Sequence, residues 1–315
     1  MIGGEDRALL ERSLRHATET STGAALDAAL DELGWRDALS VDARAAVTLL
    51  FGLQGAANAR SSTLDLVLAH ALGREAEAVV LPVVGRWEAP GDLEAGRTEV
   101  RGVGTARLTE RDTALIVARA GDSHVAVEAE TAALLRRPIT GIDPTLALAE
   151  VSGEVAGARD LGPVDWRAAV ALGQLALGHE LVGAAGRILD LAREHALERI
   201  QFGRPIATFQ AVRHRLAETL VAIEAADALL DAAWLDRSPQ SAAMAKAAAG
   251  RAARAAARHC QQVLAGIGFT TEHPLHRYVK RVLVLEQLLG STRGLTRELG
   301  ADILERRRLP ALLPL

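Results

Sequence analysis

An arginine and a glutamine two residues apart, followed by a Gly-Arg-Pro turn, stand in the stretch ALERIQFGRPIATFQAVRHRLAETLVAIEAADALL, residues 196–230. Helical periodicity on either side places Arg199 and Gln201 at a helix end, and Phe209 with Gln210 at the start of the next helix. A guanidinium and amides held at one hairpin form a compact set of donors for a pyrophosphate, because arginine pairs phosphate oxygens two at a time. The same residues also have a purely structural use: Arg199 can cap carbonyls at the C-terminal end of its helix, and Phe202 can plug the hairpin. The spacing leaves both uses open.

Other chemistry is sparse. The chain has no phosphate-binding P-loop, HExxH, GxSxG or Gly-rich dinucleotide fingerprint, and GVGTAR at 102–107 sits in a strand-like region with no helix behind it. His273 and His276 are too few to hold a metal, so no metal site is expected. The single Cys260 permits no internal disulfide and reads as a small buried helix residue. Glu180 and Glu286 read as surface or helix-dipole charges.

These residues must be positioned by a globular chain of 315 residues, 49% of them apolar. The net charge of −4, with arginines interleaved among acidic residues, gives no footprint for nucleic acid. The N-terminus lacks an apolar core of signal-peptide length and no run of about 18 apolar residues stands out, so no membrane span and a cytoplasmic location are expected.

Three textures follow one another. Residues 5–75 read as short helices, with Leu9, Leu10 and Leu14, then Leu26, Leu30 and Leu33, at helical spacing. From 78 to 156, β-branched runs broken by Gly, Pro and Asp predict an antiparallel sheet or small barrel. Helical periodicity returns at Pro163, with helices expected over 164–199, 208–236, 239–264, 274–289 and 292–306. In the second of these, Thr208 is the expected N-cap, and Phe209, Val212, Leu216, Leu220, Ile223, Leu230 and Trp234 form the expected apolar stripe. The expected fold is mainly α with a β domain: an N-terminal helical lobe (1–76), a middle β domain (77–158) and a C-terminal four-helix bundle (159–315).

RIQFGRPIATFQ followed by HRLA closely resembles the RxxFGxxxxxFQ segment of acyl-CoA dehydrogenases, and the likeness continues through MAKAAAG (244–250) and QVLAGIGFTTEHPLHRYVKR (262–281). The order helices, sheet, helices is also that family's architecture. The resemblance implies FAD reaching across from a neighbouring subunit: Arg199, Gln201 and Phe202 at its diphosphate and ring side, Gln210 nearby, Gln262, Ala265 and Gly266 along the adenosine, and Thr292 also in the cofactor set. It implies an acyl-CoA substrate and an electron-transfer flavoprotein as acceptor.

The family removes an α-proton with a glutamate while hydride leaves for the flavin, so a positioned carboxylate is chemically required. The glutamate of the usual Glu-Gly-Thr falls on Gly290, within Gly290-Ser291-Thr292, and the alternative base position on the preceding long helix falls on Gly173. Glu180 and Glu286 are the nearest carboxylates in sequence. The family's Thr-Glu-Pro and Gly-Ser-Asp stretches are also missing from LPVVGRWEAPGDLEAGRTEVRG (81–102). The resemblance therefore implies a short subunit of an α2β2 acyl-CoA dehydrogenase of the kind that degrades steroids in actinobacteria, with a longer partner supplying the base. A homotetrameric enzyme with a displaced base and a non-catalytic assembly or regulatory subunit are the alternatives.

Overall fold

The structure, a computed structural model, describes residues 3–307. Five helices come first: α1 (Gly4–Thr20), α2 (Ala24–Glu32), α3 (Trp35–Val41), α4 (Ala43–Ala57) and α5 (Thr63–Ala71). Asp42 starts α4 by accepting the Ala45 N–H. Leu14, Leu26, Leu30, Trp35, Leu50 and Phe51 close the core of this lobe. Leu9 and Leu33, expected on the same faces, are 57% and 40% exposed. Five residues separate Leu9 from Leu14, about 140° around a helix, and Leu33 is already the C-cap of α2.

The middle region contains β1 (Gly91–Glu94), β2 (Arg97–Gly104), the single-turn α6 (Arg107–Glu110), β3 (Thr113–Ala120), β4 (Ser123–Glu130), β5 (Leu135–Pro138), β6 (Ala149–Ala156) and β7 (Arg159–Pro163). They form one sheet in the order β5-β6-β2-β1-β3-β4-β7, antiparallel except for the β1–β3 pair. Strand alternation splits its apolar residues between two faces. Val103, Leu115 and Val117 join the main core, whereas Val100, Ile116, Val127 and Val151 form a second cluster. β7, on the bundle side of the boundary expected at 158, is hydrogen-bonded to β4. Asp65 joins lobe to sheet: its carboxylate accepts from Val79 N at 2.8 Å and Thr105 Oγ1 at 2.6 Å. Burial pushes its pKa up to about 7 against the opposing effect of these bonds.

The C-terminal region consists of α7 (Trp166–Glu198), a small hairpin of β8 (Ile200–Gln201) and β9 (Arg204–Pro205), α8 (Gln210–Asp236), α9 (Pro239–Leu264), α10 (Leu275–Leu285) and α11 (Thr292–Arg306). Asp165, Ser238 and Ser291 cap α7, α9 and α11 by accepting from Ala168, Ser241 and Gly294 N–H groups. Thr208 is not the cap of α8. A 3-10 turn over Ile206–Thr208 intervenes, its hydroxyl donates to Pro205 O, and Phe209 takes the cap position without a side-chain acceptor. The expected stripe on α8 is also interrupted, because Leu220 is 47% exposed and its neighbour Thr219 is buried, bonded to Arg215 O and beside His259.

α7 is long and apolar enough to cross a membrane by length and composition, contrary to the expectation that no such stretch exists, but 78% of its apolar stretch is buried inside the fold. It packs on α4, α8 and α9, the position of a core helix. Its crossing with α4 is close because glycines meet there: a side chain on Gly55 would overlap Glu180 O, and one on Gly183 would overlap Gly52 O.

Candidate functional site

The β8–β9 turn is made by Phe202 (φ 55) and Gly203 (φ 77), both left-handed, as a two-residue hairpin loop requires. A non-glycine residue there costs about 1–2 kcal/mol. Phe202 occupies it while 91% exposed, touching Phe209 edge-on at 6.1 Å between ring centroids. It therefore does not plug the hairpin. Arg199 is exposed and is the C-cap of α7 through its backbone N–H to His195 O, but among the described residues its guanidinium makes no hydrogen bond, so its side chain caps no helix carbonyl. Both structural uses open to the sequence are absent, and Gln201 and Gln210 also face outward.

Gln262, Ala265 and Gly266 are exposed where α9 turns into a 3-10 segment, Ala265–Phe269, and nothing lies within 4 Å of the side-chain position of Gly266. Burial and then the charge of Arg199 lower the pKa of His195, while burial and then His195 lower that of His273. Thr292 stands apart from them. It abuts Gly250, where a side chain would overlap its hydroxyl. The helix between Gly250 and Gln262 spans about 18 Å at 1.5 Å per residue. The expected cofactor residues thus fall into two groups on one chain.

The two expected base positions lie together. Gln174 Nε2 donates to Leu289 O at 2.9 Å, bringing the Gly173 segment of α7 against the turn before α11. A side chain on Gly173 would overlap Leu289 Cδ1 and approach Leu68 Cδ2 at 3.1 Å and Leu64 Cδ1 at 3.7 Å. Gly290 has φ 99, and a Cβ there would stand 2.8 Å from Leu295 Cδ2. The space beside Gly173 is filled by leucine side chains.

Neither nearby carboxylate is a surface charge. Glu286 is 1% exposed. It accepts from Arg254 at 2.7 Å, Gln287 at 2.6 Å and Thr292 N at 3.1 Å. Burial raises its pKa, but the Thr292 and Arg254 interactions outweigh this and hold it below the ordinary value, which suits an anchored anion rather than a base. Glu180 is 2% exposed, and burial raises its pKa to about 6 although Arg281 stands 3.9 Å away. Arg281 itself is held by Asp143 at 2.9 Å and Ala59 O at 2.7 Å. Glu180 lines a cavity of about 40 Å³, room for one or two waters.

Sequence reasoning missed Lys246. It is 1% exposed, and its ammonium donates to Glu286 O at 3.1 Å and Gly290 O at 2.5 Å, tying down the turn that holds one base position. Burial drives its pKa down to about 7, with Glu286 opposing. The available signal was one lysine inside the apolar helix face of MAKAAAG.

Residues 166–304 match the model of the acyl-CoA dehydrogenase C-terminal domain. Acyl-CoA dehydrogenase IpdE2 of Mycobacterium tuberculosis is 39% identical over 171 residues, 54% of this chain and 52% of that protein. The chain thus spans about half the length of this relative. Among solved structures, a Tcur3481-Tcur3483 steroid ACAD variant superposes with a TM-score of 0.80 at 22% identity, covering 96% of this chain and 99% of that one. The ChsE4-ChsE5 complex from Mycobacterium tuberculosis superposes with a TM-score of 0.76 at 21% identity, covering 97% of each. At these identities the superpositions establish the acyl-CoA dehydrogenase fold, and the match of residues 166–304 makes the C-terminal region similar to that family's C-terminal domain.

Proposed function

We propose that this chain is the non-catalytic, flavin-tail-binding subunit of a heteromeric FAD-dependent acyl-CoA dehydrogenase. The observation that carries the reading is the pair of base positions. Both are glycine, and the space beside Gly173 is filled by Leu289, Leu68 and Leu64. A proton cannot be taken from a thioester α-carbon without a carboxylate in reach, so the base and the acyl pocket come from a longer partner. When bound, FAD supplies the hydride acceptor; the chain's own part is to hold its far end. The outward-facing, unengaged donors Arg199 and Gln201 fit a pyrophosphate, and the open surface at Gly266 fits an adenosine. Phe202, exposed and held in a strained turn, fits a contact made only in the assembly. The names of the structural neighbours, a steroid ACAD and a two-protein complex, support a steroid-derived CoA ester and an α2β2 assembly.

Co-expression with the longer partner tests this. The expected product is a yellow complex with one FAD per heterodimer, which loses flavin on Arg199→Ala while the subunits stay together. Full FAD occupancy with acyl-CoA-dependent bleaching by this chain alone would overturn it. A second reading makes Glu180 a displaced base, favoured by its burial and raised pKa. Its 40 Å³ cavity is too small for an acyl chain. Bleaching by the isolated chain that disappears on Glu180→Gln would favour that reading.

A further inference from the structure

The seven-stranded sheet ends in two open edges, β5 and β7, and an open edge is a template for pairing with another chain. β5 is blunted from within: it has four residues, two of them arginines, and Pro138 brings no N–H. β7 ends in Pro163, but the carbonyls of Leu161 and Pro163 are left for something outside the strand to cover. That cover is Arg74, just beyond α5 and 87 positions before Leu161, whose Nη2 donates to Leu161 O at 2.7 Å and to Pro163 O at 3.3 Å. The two carbonyls are two residues apart and so lie on one side of the strand. Between them, the Gly162 N–H is taken by Asp160 Oδ1 at 2.7 Å. The β4–β7 register also shifts between Ala126 and Val127, a local kink of the kind that turns an edge away from neighbours.

No ion pair accounts for the position of Arg74. Among the described residues no carboxylate pairs with it, its Nη1 reaches only the neighbouring Gly73 O at 3.2 Å, and its Nε is buried without a partner. A side chain on Gly162 would stand 3.9 Å from Nη2, so the guanidinium lies alongside the middle of β7. Solvent reaches the edge, since Arg159, Asp160 and Pro163 are exposed. The partner such an edge meets in a solution of this protein is its own copy, because antiparallel pairing of a strand with itself is self-complementary about a two-fold axis. We propose that Arg74 and Asp160 form a guard on this edge: by occupying two carbonyls and one N–H of β7 they keep a second copy of the chain from pairing with the sheet. The guard shares no residue with the hairpin assigned to the flavin tail, and holds independently of that reading.

Sedimentation of the full chain over a wide range of concentration tests the guard. Arg74→Ala/Asp160→Ala is expected to self-associate at least about tenfold more tightly than the parent, as an uncovered edge allows. Amide exchange across 159–162 is expected to slow as the concentration of this variant rises and to stay constant in the parent, which places the contact on β7. Arg74→Lys/Asp160→Asn keeps a donor and an acceptor at the edge and is expected to match the parent. An unchanged mass of the double alanine variant overturns the proposal, even where its melting temperature falls, because Arg74 then only staples the end of α5 to β7. Association without slowed exchange at 159–162 overturns it as well. Asp160→Ala alone, at an exposed residue, is expected to show the same shift in smaller measure. Should the double variant fail to fold, an unchanged mass of this single variant at every concentration decides against the guard.

Discussion

Replacing Gly290 by glutamate puts a carboxylate at the family's usual base position, and the structure implies that this alone restores no dehydrogenation. Gly290 has φ 99, a conformation that costs a side-chain-bearing residue about 1–3 kcal/mol. The new Cβ would stand 2.8 Å from Leu295 Cδ2, and pushing that side chain off its staggered rotamer costs roughly another 0.5–1.5 kcal/mol. The total is about 2–4 kcal/mol. At about 2–4 °C per kcal/mol, the melting temperature should fall by roughly 4–16 °C. Turnover should stay absent because Leu289 and Leu68 still occupy the space beside Gly173. Thermal melts followed by circular dichroism, together with anaerobic flavin bleaching by an acyl-CoA in the partner complex, measure both. A Gly290→Glu chain that melts within a degree of the parent and adds a second bleaching site per heterodimer would refute the reasoning.

Lys246→Met removes a buried donor shared by two carbonyls, Glu286 O and Gly290 O, and should lower unfolding free energy by about 2–5 kcal/mol in urea titrations. The folded pKa of Lys246 lies below the unfolded value of 10.5, so its contribution to stability is present above that pH and is lost as pH falls through about 7. That dependence should be missing from the methionine variant. Asp65 behaves in the opposite sense: its pKa is raised from 3.8 to about 7, so its stabilisation is present below 3.8 and lost as pH rises through 7. Asp65→Asn keeps an acceptor for Val79 and Thr105, and should gain on the parent by an amount on the order of 4 kcal/mol between pH 4 and pH 8. Parallel stability curves for variant and parent across that range would count against a buried, desolvated Asp65.

Local pattern accounts for much of what was legible. Apolar spacing and caps placed α9 at 239–264 and α11 at 292–306, and Gly-punctuated β-branched runs marked the sheet, because periodicity and turn chemistry are properties of neighbours in sequence. The hairpin itself was legible for the same reason, since Arg199, Gln201, Phe202 and the Gly-Arg-Pro turn are neighbours in sequence. Burial of Glu180 and Glu286 was not legible. Whether a helix charge faces water depends on which helices pack over it, and here α4 and α9 do so.

By itself, the sequence determined that Gly173 and Gly290 stand at the two positions where the resemblance expects a base, since identity at a position needs no fold. Only the tertiary structure decided that those glycines stand together with leucine packed beside them, and that Lys246 clamps the turn between Glu286 and Gly290. These are contacts between residues tens to more than a hundred positions apart. They arise from side-chain packing across helices, which one-dimensional spacing does not encode.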